Sequence, residues 1–169
     1  MTRVLLVDDH PLVRAGLAAL LGGAEHMEVV AQAGDGMEAV ELAARLRPDV
    51  VLMDVSMPVL DGVAATRRIV REVPGTRVVM LTSFTDRRRV ADAMSAGAAG
   101  YLVKDCDPHA IIAAIRSAAR GEAPVDPRVA GALRTRPAPA APAARSGVEA
   151  RRHRTTPWRR PWILRARES

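Results

Sequence analysis

The sequence predicts an α/β fold for residues 1–121: a five-stranded parallel sheet with helices on both faces. Three observations carry this. Strand-like and helix-like segments alternate five times, which implies right-handed crossovers and a sheet covered on both sides. The strand candidates are short, nearly continuous apolar runs such as Val4-Leu5-Leu6-Val7 and Val50-Val51-Leu52-Met53, the pattern of strands with no wet face. Four of the runs end in Asp8-Asp9, Asp54, Thr82 and Lys104, and a parallel sheet gathers its functional groups at that carboxyl edge.

The elements follow in order. Strands are expected at 3–7, 28–33, 49–53, 77–82 and 99–103. After the first, Pro11 suits an opening helical turn and Gly22-Gly23 a stop. Met37, Val40 and Ala44 then share one helical face. Pro58 shapes the loop after Asp54, and Asp61 suits the cap of a third helix. Val90, Ala93 and Met94 form the next stripe, with Gly97 as its left-handed terminator. The last helix is the clearest: Asp107 caps it, Pro108 opens it, Ile111, Ile115 and Ala118 form its stripe, and Gly121 ends it. The topology that fits is flavodoxin-like, a (βα)5 unit with strand order 2-1-3-4-5.

Composition narrows the classes. Hydrophobic residues make up 49% of the 169-residue chain but aromatics only 2%, so aliphatic side chains must fill the core. The single cysteine, Cys106, excludes an internal disulfide and a cysteine-based metal cluster, and reads as a free thiol in a reducing compartment. Asp8 and Asp9 cut the first apolar run short, unlike a signal peptide, and no apolar stretch approaches the about 20 residues of a membrane span. A cytoplasmic location is expected. Residues 1–121 carry 14 basic and 15 acidic side chains, net −1, whereas residues 122–169 carry 11 arginines and 4 acidic groups, net +7. The basic balance therefore belongs to the C-terminal part and says little about the domain surface.

Lys104 is the only lysine among 25 basic side chains. Arginine is a wide planar fork, while lysine is a compact charge that can approach one phosphate oxygen. Asp8, Asp9 and Asp54 would repel one another if they converged unneutralised, so protonation or a bound cation is expected. Mg²⁺ suits them, because it takes hard oxygen ligands and bridges to phosphate. Three carboxylates, a hydroxyl and one ammonium thus make a site for a divalent cation and a phosphoryl group. The competing reading makes the carboxylates surface caps for the following helices and Lys104 a solvated loop charge.

The segments Leu6-Val7-Asp8-Asp9-His10, Met53-Asp54-Val55-Ser56-Met57-Pro58, Asp61-Gly62, Leu81-Thr82-Ser83 and Gly100-Tyr101-Leu102-Val103-Lys104-Asp105 resemble the receiver domain of bacterial two-component response regulators, over residues 3–121. His10 to Leu17 and Gly97 to Tyr101 are similar to the NarL/LuxR-type subfamily. The resemblance implies that Asp54 accepts a phosphoryl group from a sensor histidine kinase. It implies a Mg²⁺ site made by Asp9 directly, Asp8 largely through water, Asp54 and the backbone carbonyl of Ser56. Thr82 and Lys104 would each hold a phosphoryl oxygen, and Tyr101 would turn inward as the switch. Ser56 and Phe84 would flank the attacking water. A homodimer on phosphorylation and transcriptional output belong to the same expectation.

Two enzyme-like alternatives fit less well. A phosphatase of the haloacid dehalogenase type needs an acid two residues past its nucleophile, where Asp8 is followed by His10, and a cap insertion. A Rossmann-type nucleotide binder needs a Gly-rich loop after the first strand. Residues 122–142 read as a Pro/Ala-rich linker and 143–169 as a basic tail expected to be disordered, since seven of the twelve prolines fall beyond Gly121. Only 32 residues follow Pro137, too few for a four-helix output domain at about 10–14 residues per helix. The helix-turn-helix domain of the subfamily is thus expected to be missing or truncated. Arg151, Arg152, Arg154, Arg159 and Arg160 could meet phosphates, with Trp158 or Trp162 stacking on bases. Sequence-specific DNA recognition is not expected, and a stand-alone receiver acting through protein–protein contacts is the alternative output.

Overall fold

Ten elements alternate as the sequence predicts: β1 (Thr2–Val7), α1 (Pro11–Gly22), β2 (Met27–Ala33), α2 (Gly36–Leu46), β3 (Val50–Asp54), α3 (Gly62–Glu72), β4 (Arg77–Thr82), α4 (Arg87–Ser95), β5 (Gly100–Val103) and α5 (Pro108–Ala119). They come from a computed structural model that describes residues 1–83 and 87–134. Phe84 and the sequence beyond residue 134, with the expectations attached to them, lie outside the described residues. The sheet is parallel throughout, in the order β2-β1-β3-β4-β5.

Successive strand side chains point to opposite faces, and both faces are buried. Val4, Leu6, Val50, Leu52, Val79 and Leu81 pack against Leu21, Ile111 and Ile115 of α1 and α5. Leu5, Val7, Val51, Met53, Val78, Met80 and Tyr101 pack against Ala39, Ile69 and Val90 of α2, α3 and α4. This double burial is why the strands read as unbroken apolar runs. The caps also match: Asp61 accepts from Ala64 N at 2.8 Å, Asp107 accepts from His109 N at 2.7 Å, and Gly97 lies at φ 95°.

The linker expected from residue 122 begins too early. The chain turns back along β5, where Tyr101 N donates to Pro124 O and Asp126 N donates to Tyr101 O, both at 2.9 Å. A sixth helix, α6 (Pro127–Arg134), then packs on α4 and β5, with Val129 fully buried. Asp126-Pro127 repeats the cap-and-proline signal of Asp107-Pro108, with Asp126 accepting from Arg128 N at 2.8 Å. Proline content, read as linker composition, masked that signal. Gly100 is required here, since a Cβ at this position would lie 2.6 Å from Pro124 O. The unit that contains these elements extends over Met1–Arg136.

Candidate functional site

The strand registers bring the ends of four strands together. Val7 lies opposite Met53, Asp54 opposite Leu81, and Thr82 opposite Val103. The residues that follow or end these strands, Asp8, Asp9, Asp54, Thr82 and Lys104, therefore share the carboxyl edge. Lys104 N donates to Thr82 O at 2.6 Å, which ties the end of β5 to that of β4. Gly62 lets α3 begin directly beside Asp54, because a Cβ there would sit 1.9 Å from the Asp54 carbonyl oxygen. Val59, at φ 67°, closes a γ-turn in which Leu60 N donates to Pro58 O at 2.8 Å. That turn carries the chain from Ser56 to the cap of α3.

Asp8, Asp54 and Thr82 are buried, and the single lysine organises the charges of the two carboxylates. Lys104 Nζ lies 2.5 Å from Asp8 Oδ2 and 3.1 Å from Asp54 Oδ1. Burial acts to lower the Lys104 pKa, but hydrogen bonds and charges from Asp8 and Asp54 outweigh it and hold the ammonium above its ordinary value. Burial pushes the Asp54 carboxyl above its ordinary value, with Asp8 adding to the rise, although Lys104 pulls in the other direction. Asp54 is thus a carboxylate that one cation does not fully compensate.

Asp9 supplies the test of a metal. Its Oδ1 is buried and makes no hydrogen bond, and its ion-pair neighbour is His10 Nδ1 at 2.9 Å, a charge partner when that ring is protonated. A buried carboxylate oxygen without a donor suits a hard cation. Ligand atoms of Asp8, Asp9 and His10 lie within 4.8 Å of one another. Asp54 reaches Asp8 through Lys104 instead. The oxygen-rich set fits Mg²⁺ better than a softer metal.

The expected residues are thus placed at one edge, and Tyr101 is fully buried on β5 within the core under α4. Three neighbours were not anticipated. His10 N donates to Asp8 Oδ1 at 2.8 Å, and its Nδ1 lies 3.1 Å from the same oxygen. Arg14 Nη1 donates to Asp8 O at 2.5 Å from α1. Arg89, on α4, donates to Ser56 Oγ. Arg14 is six residues from Asp8 and Arg89 thirty-three from Ser56, so neither contact leaves a local signal; the histidine, adjacent to the aspartates, could have been found.

The sequence profile of the response regulator receiver domain matches residues 4–116. The chain belongs to the response regulator receiver family. It is 46% identical over 136 residues to the transcriptional regulatory protein LiaR of Bacillus subtilis strain 168, covering 80% of this chain and 64% of that protein. It is 39% identical over 127 residues to the transcriptional regulatory protein DegU of Brevibacillus brevis, covering 75% of this chain and 54% of the relative. The chain therefore spans little more than half to two thirds of the length of such relatives. Among solved structures, a LuxR-family two-component response regulator from Aurantimonas sp. SI85-9A1 superposes with a TM-score of 0.75 at 35% identity, covering 79% of this receiver and 96% of that chain. The signal receiver domain of NarL from Mycobacterium tuberculosis gives 0.70 at 36% identity, covering 72% and 98%. The receiver fold and the NarL/LuxR resemblance agree with the sequence reading, and the phosphatase and Rossmann alternatives are not favoured. No helix among the described residues is long and apolar enough to cross a membrane.

Proposed function

We propose that Asp54 of this receiver accepts a phosphoryl group from a sensor histidine kinase and that the modified domain switches an output. The observation that carries this reading is Lys104, whose Nζ spans Asp8 and Asp54 at 2.5 and 3.1 Å beside Thr82. Asp54 attacks phosphorus in line; the P–N bond to the donor imidazole breaks as the new P–O bond forms, and the leaving nitrogen keeps the electron pair. Lys104 and the Thr82 hydroxyl meet the charge on the transferring oxygens, so positioning and electrostatics do most of the work. Asp8, Asp9, Asp54 and the Ser56 carbonyl would hold Mg²⁺, which supplies charge neutralisation between carboxylates and phosphoryl oxygens when bound. Ser56, two residues past Asp54, would flank the water that later hydrolyses the acyl phosphate.

Tyr101 relays the event. It lies in the strand that follows Thr82 in the sheet, and its backbone carries the pairing with Pro124 and Asp126. Transcriptional output in the cytoplasm is the reading supported by relatives named as transcriptional regulators, and a phosphorylation-dependent homodimer fits the same output. His10 in place of an acid speaks against independent phosphatase chemistry. The test is treatment of the full chain with acetyl phosphate and Mg²⁺, read by intact mass. One acid-stable, base-labile phosphate is expected, absent in Asp54→Asn; uptake by Asp54→Asn at the wild-type rate would overturn the assignment.

A further inference from the structure

Arg89 is a cation beside this site that nothing in the phosphoacceptor reading uses. It is exposed on α4, yet its guanidinium reaches the loop after β3 and donates Nη1 to Ser56 Oγ, two residues beyond Asp54. The polar residues that line the cleft between them are Asp9, Ser56, Asp61, Arg67, Arg89 and Asp92. Asp8, Asp9 and Asp54 outweigh Lys104 by two formal charges, and Lys104 already serves two carboxylates. An incoming phosphodonor adds further negative charge. Arg89, by contrast, pairs with no carboxylate among the described residues and donates to a neutral hydroxyl. A guanidinium presents five donors in a fork that matches phosphate oxygens.

Resting on Asp54 as the acceptor, we infer that Arg89 is a donor-recognition residue: anchored on Ser56, its guanidinium draws the phosphoryl dianion into the cleft and orients it toward Asp54. Ser56 thereby fixes where the fork lies, and the pair forms the α4 side of the entrance. The effect belongs to capture of the donor rather than to the limiting rate of transfer.

The experiment follows phosphate incorporation into the full chain by intact mass, with acetyl phosphate and Mg²⁺, at low and high salt. Arg89→Ala is expected to raise the half-saturating donor concentration about fivefold at low salt, with the difference shrinking near 0.5 M salt as screening shortens its reach. Arg89→Lys should recover only part of the loss, because lysine keeps the charge but not the fork, and Arg45→Ala, which removes an exposed arginine of α2 outside the cleft, should change it by less than about twofold. Arg89→Ala within about twofold of wild type would overturn the inference while leaving Asp54 as acceptor. So would a loss that ignores salt, or an equal loss in Arg45→Ala. If wild type takes up no phosphate, or Asp54→Asn takes it up equally, the acceptor assignment fails and Arg89 falls with it.

Discussion

Asp54 is held in a state that burial disfavours, and this has a measurable cost in the absence of a divalent cation. Its folded pKa is raised above the ordinary value of 3.8. The folded state therefore binds more protons than the unfolded state between those two values, and stability falls as pH rises through that window. Above it the penalty is fully present. Asp54→Asn should consequently melt a few degrees higher than wild type at pH 7 in a metal chelator, with the gap closing as pH falls toward the ordinary carboxylate value. Thermal scans across that range check it, and an unchanged or lower melting point at neutral pH would contradict the charge balance. Asp9 should behave differently. Mg²⁺ binding stabilises the fold by linkage, and Asp9→Ala, which removes the buried Oδ1 without a donor, should abolish most of the Mg²⁺-dependent rise in melting temperature. Titrating Mg²⁺ against both proteins gives the comparison.

At the scale of elements, α6 is attached by a charged clamp. Arg128 Nη1 lies 2.7 Å from Asp105, the residue after Lys104, and Nη2 lies 3.0 Å from Asp126. The hydrogen bond from Arg128 holds the Asp126 pKa below its ordinary value of 3.8, so this stabilisation is present above that value and is lost as pH falls through the lower folded pKa. Asp126→Asn removes the charge but keeps a capping side chain. It should weaken hydrogen-exchange protection at the Tyr101 and Asp126 amides by roughly tenfold at neutral pH, the effect of about one charge-assisted hydrogen bond. Wild type should approach the same protection in acid once intrinsic rates are corrected. Five strands were legible because each is an apolar run buried on both faces, and their observed ends fall within one residue of expectation. The sixth helix was not, because two residues at a helical spacing, Val125 and Val129, are a weak signal amid prolines. The same division holds at the site. Asp8, Asp9, Asp54, Thr82 and Lys104 announce themselves by ending apolar runs, whereas Arg89 approaches Ser56 only through the docking of α4 beside α3.

For the molecule as a whole, the boundary of the domain is the decisive difference between sequence reading and structure. A chain ending at Gly121 keeps all five strands but deletes Val125 and Val129, which pack on the α2–α4 core. Burial of a valine contributes about 1.5–3 kcal/mol, so this truncation should cost about 3 kcal/mol in urea denaturation. A chain ending at Arg136 should match full length. Equal stability of the two truncations would mean that residues 122–134 are not part of the folded unit.

The return of the chain along β5 also governs how these molecules meet one another. An edge strand with unpaired N–H and C=O groups is a template on which a neighbouring chain can add. β5 has such a border, and Pro124 and Asp126 occupy both main-chain groups of Tyr101. Stripped of that cover, Gly100-Tyr101-Leu102-Val103 would present an uncharged, apolar margin to solvent. The shortened chain should then lose solubility through intermolecular strand addition, visible as concentration-dependent light scattering well below its melting temperature. On that expectation, the segment after α5 is the cover of the sheet's open margin at β5.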